Sequence, residues 1–189
     1  MFYRVCQLIL QVVYKIVFRF QPVGLHHIPA EGPVILCSNH ISNLDPPTIA
    51  VFVKRNVHFM AKAELFSIPL FNALIRKLGA FPVRRGAVSK ETIRSALQLL
   101  EQGRVLGIFP EGTRSAGGSV GKKGAASLAL KSGAAVVPVT IVGSYIPFKR
   151  LKVIYGPPID MTPFAELPAS EALERATEVI MERIRSQTG

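Results

Sequence analysis

Short apolar runs alternate with longer amphipathic stretches from Gly24 to the end of the chain. Apolar runs bounded by Gly, Pro and polar residues predict buried strands, whereas apolar residues every three or four positions predict helices. Strands alternating with helices predict one α/β domain, with a mixed, mostly parallel sheet flanked by helices. The predicted strands cover 34–37, 57–61, 80–83, 105–109, 135–141 and 152–155.

Three amphipathic helices are predicted among and after these strands. They cover 89–102, 123–131 and 170–186. Ser89 is the predicted N-cap of the first helix, and Gly103 and Gly133 are the predicted stops of the first two. In the third, Glu171 and Arg175 are spaced to pair at i,i+4.

Segment 64–78 is apolar on nearly every side and ends in Arg76-Lys77. Two interpretations stay open for it. Either it is buried all round, or it faces lipid or an acyl chain with the two cations at the headgroups. The Pro-rich stretch 156–168 predicts a loop before the last helix.

The N-terminal segment is apolar apart from one polar stripe. The stripe consists of Arg4, Gln7, Gln11, Lys15 and Arg19, which share one side of a helix. The apolar remainder is too short for a membrane span, which takes about 20 residues. We therefore predict an amphipathic membrane-associated helix over 1–22, its cations at the headgroups, followed by one domain over 23–189. The alternative is a first helix buried in that domain.

The net charge of +11 favours an anionic partner. Nucleic acid is disfavoured because the chain has no zinc-finger spacing and no RNP-type aromatic motif, and its basic residues are scattered in pairs. An acidic bilayer surface or a phosphorylated small molecule remains, and we expect no nucleic-acid partner.

Neither disulfides nor a metal site are expected. Cys6 and Cys37 are the only cysteines, and with no cleavable signal peptide both are predicted to be reduced in a cytosolic compartment. The histidines form no paired ligand spacing with them or with each other. They are His26, His27, His40 and His58.

The first group of residues with chemical potential follows the strand predicted at 34–37. His40 precedes Asp45 by five positions, across a turn indicated by Asn43 and Pro46. The carboxylate can orient the imidazole while the other ring nitrogen takes a proton from a substrate hydroxyl, so no Ser or Cys nucleophile is required. Taken alone this spacing is weak, because Asp45 can serve simply as a helix cap.

The second group follows the strand predicted at 105–109, in the run Pro110-Glu111-Gly112-Thr113-Arg114-Ser115. Arg114 can bind a phosphate bidentately, Thr113 adds a hydroxyl donor, and Gly112 lets the backbone approach a ligand. The alternative is a capped turn in which Glu111 and Arg114 merely pair.

Further cations occupy other strand and helix ends. Arg84-Arg85 follow the strand predicted at 80–83, and Lys122-Lys123 open a predicted helix. Converging cations suit a phosphate monoester, although any single one is more often a solvated surface charge. Gly121-Lys122-Lys123 is not a Walker A loop, because Ala116 replaces its first Gly and no Ser or Thr follows, so nucleotide hydrolysis is rejected.

Four motifs in order now match a known family. They are Asn39-His40 with Asp45, Gly79-Ala80-Phe81-Pro82-Val83 with Arg85, Phe109 to Ser115, and Val137-Pro138-Val139. The set resembles the glycerolipid acyltransferases, specifically the bacterial-type 1-acylglycerol-3-phosphate acyltransferases, over roughly residues 24–143. The resemblance implies a glycerol-3-phosphate acyltransferase-like fold for 23–189.

The resemblance also implies roles for individual residues. His40 would be the general base and Asp45 its orienting partner. The implied substrate-binding residues are Arg85, Glu111, Gly112, Thr113, Arg114 and Lys123. The implied reaction makes phosphatidic acid from lysophosphatidic acid and an acyl-CoA or acyl-carrier-protein donor, without metal or cofactor. The implied location is peripheral or monotopic, on the cytoplasmic face of the cell membrane.

Two departures from the family pattern bear on donor and acceptor preference. Gly121 stands where an aromatic residue is common, and Arg84 stands where many members carry an acid. Glycerol-3-phosphate or another lysophospholipid is the nearest alternative acceptor. An inactive lipid-binding protein is disfavoured because His40 and Asp45 are both retained. A thioester hydrolase is a third alternative, and it is disfavoured because hydrolysis would not require the phosphate-binding cations.

Overall fold

The computed structural model describes residues 2–83, 90–110 and 119–187. Within them, seven strands form one sheet with helices on both faces. The strands are β1 (Gln21–Val23), β2 (Val34–Ser38), β3 (Val57–Lys62), β4 (Ala80–Val83), β5 (Val105–Ile108), β6 (Ala135–Gly143) and β7 (Leu151–Tyr155). The helices are α1 (Phe2–Val17), α2 (Asp45–Ala50), α3 (Pro69–Lys77), α4 (Lys90–Glu101), α5 (Ser119–Ser132), α6 (Thr162–Ala165) and α7 (Ala169–Ser186).

The sheet is mixed and mostly parallel, as predicted, with strand order β1-β7-β6-β2-β5-β3-β4. Strand β2 lies between β5 and β6 and is parallel to both, with Val34 opposite Val105 on one side and Ala135 on the other. Only β7, antiparallel to β6, and β1, parallel to β7, depart from this direction. The carboxyl ends of β2, β5 and β6 therefore share one edge, where α/β sheets bind their ligands.

Alternate side chains of β2 enter two separate cores. Ile35 and Cys37 pack with α4, α5 and α7 on one face. Val34 and Leu36 pack with Tyr14 of α1 and with α2 on the other face. Because both faces of β2 are buried, the residues that follow it start from a fixed strand end.

All six predicted strands are present, and α4, α5 and α7 agree with the predicted helices to within a few residues. Gly103 and Gly133 end α4 and α5 with positive φ, as predicted. The proposed N-cap Ser89 lies outside the described residues. Strand β1 was not predicted, because it has only three residues and contains Pro22, which an edge strand tolerates.

Two segments differ from the predictions. Segment 64–78 is divided at Pro69 into a 3-10 helix, Ala63–Ser67, and α3, and neither part has a buried residue. Leu70 is 88% exposed and Ile68 52%, so the interpretation of a helix buried all round is wrong. Segment 156–168 is not entirely a loop, because it contains α6.

The polar stripe of α1 faces the protein. Gln7 is buried and its amide donates to the carbonyl oxygens of Ala50 and Val53, at 3.1 and 2.8 Å. Gln11 donates to Val51 O at 2.8 Å. These bonds go to carbonyl groups at and just after the C-terminal end of α2, where intrahelical partners run out, although Ala50 O also accepts the N–H of Val53. The two glutamines of the stripe therefore pack against the domain, which the sequence did not predict, whereas the placement of its cations at the headgroups stays a prediction.

Two cations of the stripe, Arg4 and Lys15, lie at its edge, whereas Arg19 lies beyond the end of α1 at Val17 and so does not share the helix as predicted. Arg4 donates to the carbonyl oxygen of Lys54, and the ammonium of Lys15 lies 5.7 Å from the ring centre of Phe52. The apolar side of α1 points outward instead. Its exposed side chains are Phe2, Val5, Leu8, Ile9, Val12, Val13 and Ile16. Within the described ranges, no helix combines the length and apolar character needed to cross a bilayer.

Candidate active site

Strand β2 delivers the His40 loop to the carboxyl edge of the sheet, and Asn39 anchors it there. The Asn39 side-chain amide donates to the carbonyl oxygen of Ile141 at 3.0 Å, and its oxygen accepts from the Ile141 N–H at 2.8 Å. The side chain thus continues the pairing of β2 with β6 one residue beyond Ser38. His40 consequently starts from backbone tied to both strands.

The His40–Asp45 pair has the contact that its spacing predicted. His40 Nδ1 lies 2.6 Å from Asp45 Oδ2, and the same oxygen accepts the N–H groups of Ile41 and Ser42 at 2.6 and 2.7 Å. The Asp45 side chain is fully buried, while that of His40 is 18% exposed. Helix α2 begins at Asp45, but its N-cap is Leu44 with no side-chain cap bond. The alternative of a simple cap is therefore wrong.

The hydrogen bonds to Asp45 favour its ionised form. Burial by itself would raise the pKa of the Asp45 carboxyl, but bonds from His40, Ser42, Tyr145 and Ile41 together hold that pKa below its ordinary value. An ionised carboxylate only accepts hydrogen bonds, so His40 Nδ1 carries the proton that it donates to Asp45. The lone pair of His40 then lies on Nε2, the nitrogen that can accept a proton from a substrate.

The second carboxylate oxygen of Asp45 is held by residues that the sequence did not indicate. The Tyr145 hydroxyl donates to Asp45 Oδ1 at 2.7 Å. The Tyr145 oxygen is also 2.8 Å from Thr48 Oγ1, which lies 2.9 Å from the Tyr14 hydroxyl. No sequence pattern points to these three residues, because they lie far apart in the chain or outside the motifs.

An aromatic stack links the first and third motifs. The ring of Phe109, directly after β5, stacks on His40 with 4.5 Å between ring centres and an angle of 25°. Phe59 of β3 lies parallel to Phe109 at 6.2 Å. The Phe59 ring occupies the space above Gly107, where a Cβ added to Gly107 would lie 2.1 Å from the Phe59 ring. Gly107 therefore allows Phe59 to support Phe109, which in turn fixes one face of the imidazole.

Most of the predicted substrate-binding residues lie outside the described part of the chain. These are Arg85, Glu111, Gly112, Thr113 and Arg114. Phe109, stacked on His40, precedes Glu111 by two positions. Lys123 is described and lies on α5, where its ammonium pairs with Glu174 of α7 at 3.0 Å between exposed side chains.

Two other kinds of centre to compare among the described residues are a cysteine nucleophile and a metal site. Burial raises the pKa of the Cys37 thiol to about 12, so this cysteine is a core residue and not a nucleophile. Among residues 2–83, 90–110 and 119–187, no cluster of three His, Cys, Asp or Glu side chains is arranged to hold a metal ion. What the described residues show at this edge of the sheet is a histidine oriented by a carboxylate.

Comparison with known proteins identifies the family that this chain is similar to. A family model described as "Acyltransferase" matches residues 19–142. The 1-acyl-sn-glycerol-3-phosphate acyltransferase of Bacillus subtilis (strain 168) is 31% identical, covering 97% of this chain and 95% of that protein. The lyso-ornithine lipid O-acyltransferase of Pseudomonas aeruginosa is 37% identical, covering 58% of this chain and 43% of that protein.

A solved structure shares the fold. The crystal structure of the 1-acyl-sn-glycerophosphate (LPA) acyltransferase, PlsC, from Thermotoga maritima superposes with a TM-score of 0.68 and 30% sequence identity. The match covers 90% of this chain and 72% of that one. The predicted α/β fold is thus found in a solved relative.

Proposed function

Because the chain belongs to the Acyltransferase family, we propose that it transfers a fatty acyl group from a thioester to the sn-2 hydroxyl of 1-acyl-sn-glycerol-3-phosphate. The product is phosphatidic acid, an intermediate of phospholipid biosynthesis. The observation that carries the proposal is the contact of 2.6 Å between His40 Nδ1 and Asp45 Oδ2, which leaves Nε2 as a base. The relative from Bacillus subtilis supports the acceptor, since the similarity extends over almost the whole of both chains.

The proposed reaction is direct acyl transfer. His40 Nε2 removes the proton of the acceptor hydroxyl, and the oxygen attacks the thioester carbonyl to form a tetrahedral oxyanion. Collapse of this intermediate forms the ester and breaks the carbon–sulfur bond. The thiolate leaves and takes the proton from the imidazolium, which returns His40 to its starting state. Asp45 keeps the imidazole in one tautomer and stabilises its positive charge in the transition state.

The donor and acceptor need separate contacts. The donor is acyl-CoA or acyl-carrier protein, and the reaction uses neither a metal nor a cofactor. We assign binding and positioning of the phosphate-bearing acceptor to Arg85, Glu111, Gly112, Thr113 and Arg114, and to Lys123 once it leaves its surface ion pair with Glu174. A guanidinium matches the geometry of two phosphate oxygens, which gives orientation as well as attraction.

The lysophospholipid acceptor stays in a bilayer, so the site must face the membrane. The outward apolar side of α1 supports this, with Leu8 and Ile16 each 62% exposed. The Lys77 ammonium at the end of α3 lies 5.5 Å from the ring centre of Phe2, so the exposed apolar residues of α3 adjoin one end of α1. Phe148, 72% exposed, adjoins the other end through its N–H bond to Val17 O. We assign this surface to peripheral attachment on the cytoplasmic face.

Incubation of the purified protein with labelled acyl-CoA or acyl-carrier protein and a panel of acceptors tests the proposal. Esterified product with 1-acyl-sn-glycerol-3-phosphate, abolished by His40→Ala, is the expected result. The matched control is His26→Ala, an imidazole outside the site. Release of free fatty acid alone would make the protein a thioester hydrolase. Preference for glycerol-3-phosphate or for a lysolipid lacking phosphate would assign it another acceptor within the family.

A further inference from the structure

Three hydroxyl groups connect α1 to the carboxylate that orients His40. Tyr145 donates to Asp45 Oδ1 at 2.7 Å, Thr48 Oγ1 lies 2.8 Å from the Tyr145 oxygen, and the Tyr14 hydroxyl lies 2.9 Å from Thr48 Oγ1. A phenol has a single proton to donate, and the ionised carboxylate is a stronger acceptor than a neutral hydroxyl. The Tyr145 proton therefore goes to Asp45. The Thr48 hydroxyl has its own acceptor, the carbonyl oxygen of Leu44 at 2.6 Å, so Thr48 Oγ1 accepts from Tyr14 and contacts the Tyr145 oxygen without donating to it.

The loop that carries Tyr145 is also attached to the C-terminal end of α1. The Phe148 N–H donates to Val17 O at 2.5 Å, and the Leu151 N–H donates to Phe18 O at 3.0 Å. The ring of Phe18 meets the ring of Tyr145 edge-on, with 5.7 Å between centres. The position of Tyr145 thus depends on α1 through backbone bonds and ring packing, in addition to the hydroxyl contacts.

We propose that Tyr145 is a positioning residue for the His40–Asp45 pair, and that α1 is a structural part of the active site because it holds Tyr145 in place. The inference rests on the proposed function and adds a second role to the helix. Asp45 Oδ2 already accepts three donors, so Tyr145 supplies the contact that fixes Oδ1 and with it the rotation of the carboxylate. Correct seating of α1 on α2 is then required for proton abstraction, even when the acceptor is not in a membrane.

The test uses tyrosine-to-phenylalanine variants of the full chain. Tyr155→Phe is the matched control, because its buried hydroxyl donates to Ile49 O of α2 at 3.1 Å without reaching Asp45. With a short-chain acceptor dispersed below its micelle concentration, Tyr145→Phe should lower kcat roughly 10- to 100-fold, by analogy with the loss of hydrogen-bond partners that orient metal-bound histidines. KM should change less than about twofold. Tyr14→Phe should lower kcat in the same direction by a smaller factor.

Combining Tyr145→Phe with Asp45→Asn separates positioning from general loss of stability. If Tyr145 acts through Asp45, the double variant should be no slower than Asp45→Asn alone, whereas independent effects would multiply. The proton on His40 Nδ1 gives a readout without turnover, because its downfield NMR resonance should broaden or shift in Tyr145→Phe and stay unchanged in Tyr155→Phe.

The outcomes distinguish the two proposals. If the parent protein transfers no acyl group, the proposed function fails, while the NMR comparison still decides the role of Tyr145. If the parent is active and Tyr145→Phe matches Tyr155→Phe in kcat and in the His40 resonance, the positioning role is refuted. Multiplicative losses in the double variant would also refute it.

Discussion

Replacing Asp45 by Asn removes the charge beside His40 while preserving the side-chain shape. Three donors converge on Asp45 Oδ2 and one on Oδ1, within a fully buried carboxylate. If the amide oxygen takes the Oδ2 position, the backbone bonds survive and the amide NH2 faces Tyr145. If the amide is reversed, the NH2 faces Nδ1 and selects the tautomer that has no lone pair on Nε2. The first arrangement preserves the fold and removes only the charge beside the imidazolium, and we expect it to prevail because the reversed amide would set its NH2 against the N–H groups of Ile41 and Ser42.

The expected size of the change follows from considering the loss of stability and the loss of catalysis separately. A buried hydrogen bond that loses its partner costs about 1–3 kcal/mol, which is the expected loss in the free energy of unfolding. The imidazolium of the transition state loses its neighbouring anion as well. The same substitution in the serine-protease triad lowers kcat about 10⁴-fold, which corresponds to about 5.4 kcal/mol in the activation free energy. We expect Asp45→Asn to lower kcat by at least about 10³-fold.

The assay compares kcat on a dispersed short-chain acceptor with the melting temperature of the same preparation. Asp160→Asn is the matched control, because this exposed carboxylate accepts only local bonds from Thr162. A folded Asp45→Asn protein with kcat within about tenfold of the parent would refute the role assigned to Asp45.

The difference in stability between the parent protein and Asp45→Asn should depend on pH. Hydrogen bonds lower the Asp45 pKa in the folded state, so its ionised form stabilises the fold above the unfolded pKa of about 3.9. That contribution is lost as the pH falls through the folded pKa. The difference in melting temperature between the parent and Asp45→Asn should therefore narrow as the pH falls below about 4. A constant difference from pH 7 to pH 2 would show that the carboxylate has an unshifted pKa.

Three further changes test other parts of the proposal. Arg114→Ala should raise KM for the phosphate-bearing acceptor with less effect on the thioester, and equal damage with phosphate-free acceptors would exclude a phosphate contact. Leu8→Glu should weaken binding to anionic vesicles about tenfold, because burial of the 62% exposed Leu8 side chain is worth about 1.4 kcal/mol. Unchanged sedimentation with vesicles would show that α1 is not the attachment surface. Gly107→Ala should displace Phe59 and lower both the melting temperature and kcat. Gly124→Ala, with open space at its Cβ, is the control and should lower neither. Equal effects of the two variants on kcat would show that the aromatic stack does not support His40.

The local parts of the fold and site could be predicted from the sequence. Apolar runs and their stop residues located β2, β5 and β6, because strand and helix signals depend on neighbours a few positions apart. The contact between His40 and Asp45 was predictable for the same reason, since five residues across a turn limit where the carboxylate can go. The order of the four motifs then supplied the resemblance to acyltransferases.

Only the tertiary structure decided which way α1 faces. The sequence shows one polar and one apolar side, and either can point toward the protein. The choice depends on the carbonyl oxygens of Ala50, Val51 and Val53, at and just after the end of α2, which accept from Gln7 and Gln11 some forty positions away along the chain. Buried carbonyl groups with too few partners are costly, so the polar side turns inward and the apolar side faces outward.

The residues that hold the His40–Asp45 pair in place were likewise visible only in the tertiary structure. Phe109 reaches His40 because β2 and β5 are neighbours, and Tyr145 reaches Asp45 from 100 positions away because the end of α1 holds its loop. A sequence motif shows only which residues are near each other along the chain. The contacts that lock their orientation come from strand order and helix docking, and these are set by burial of the whole core.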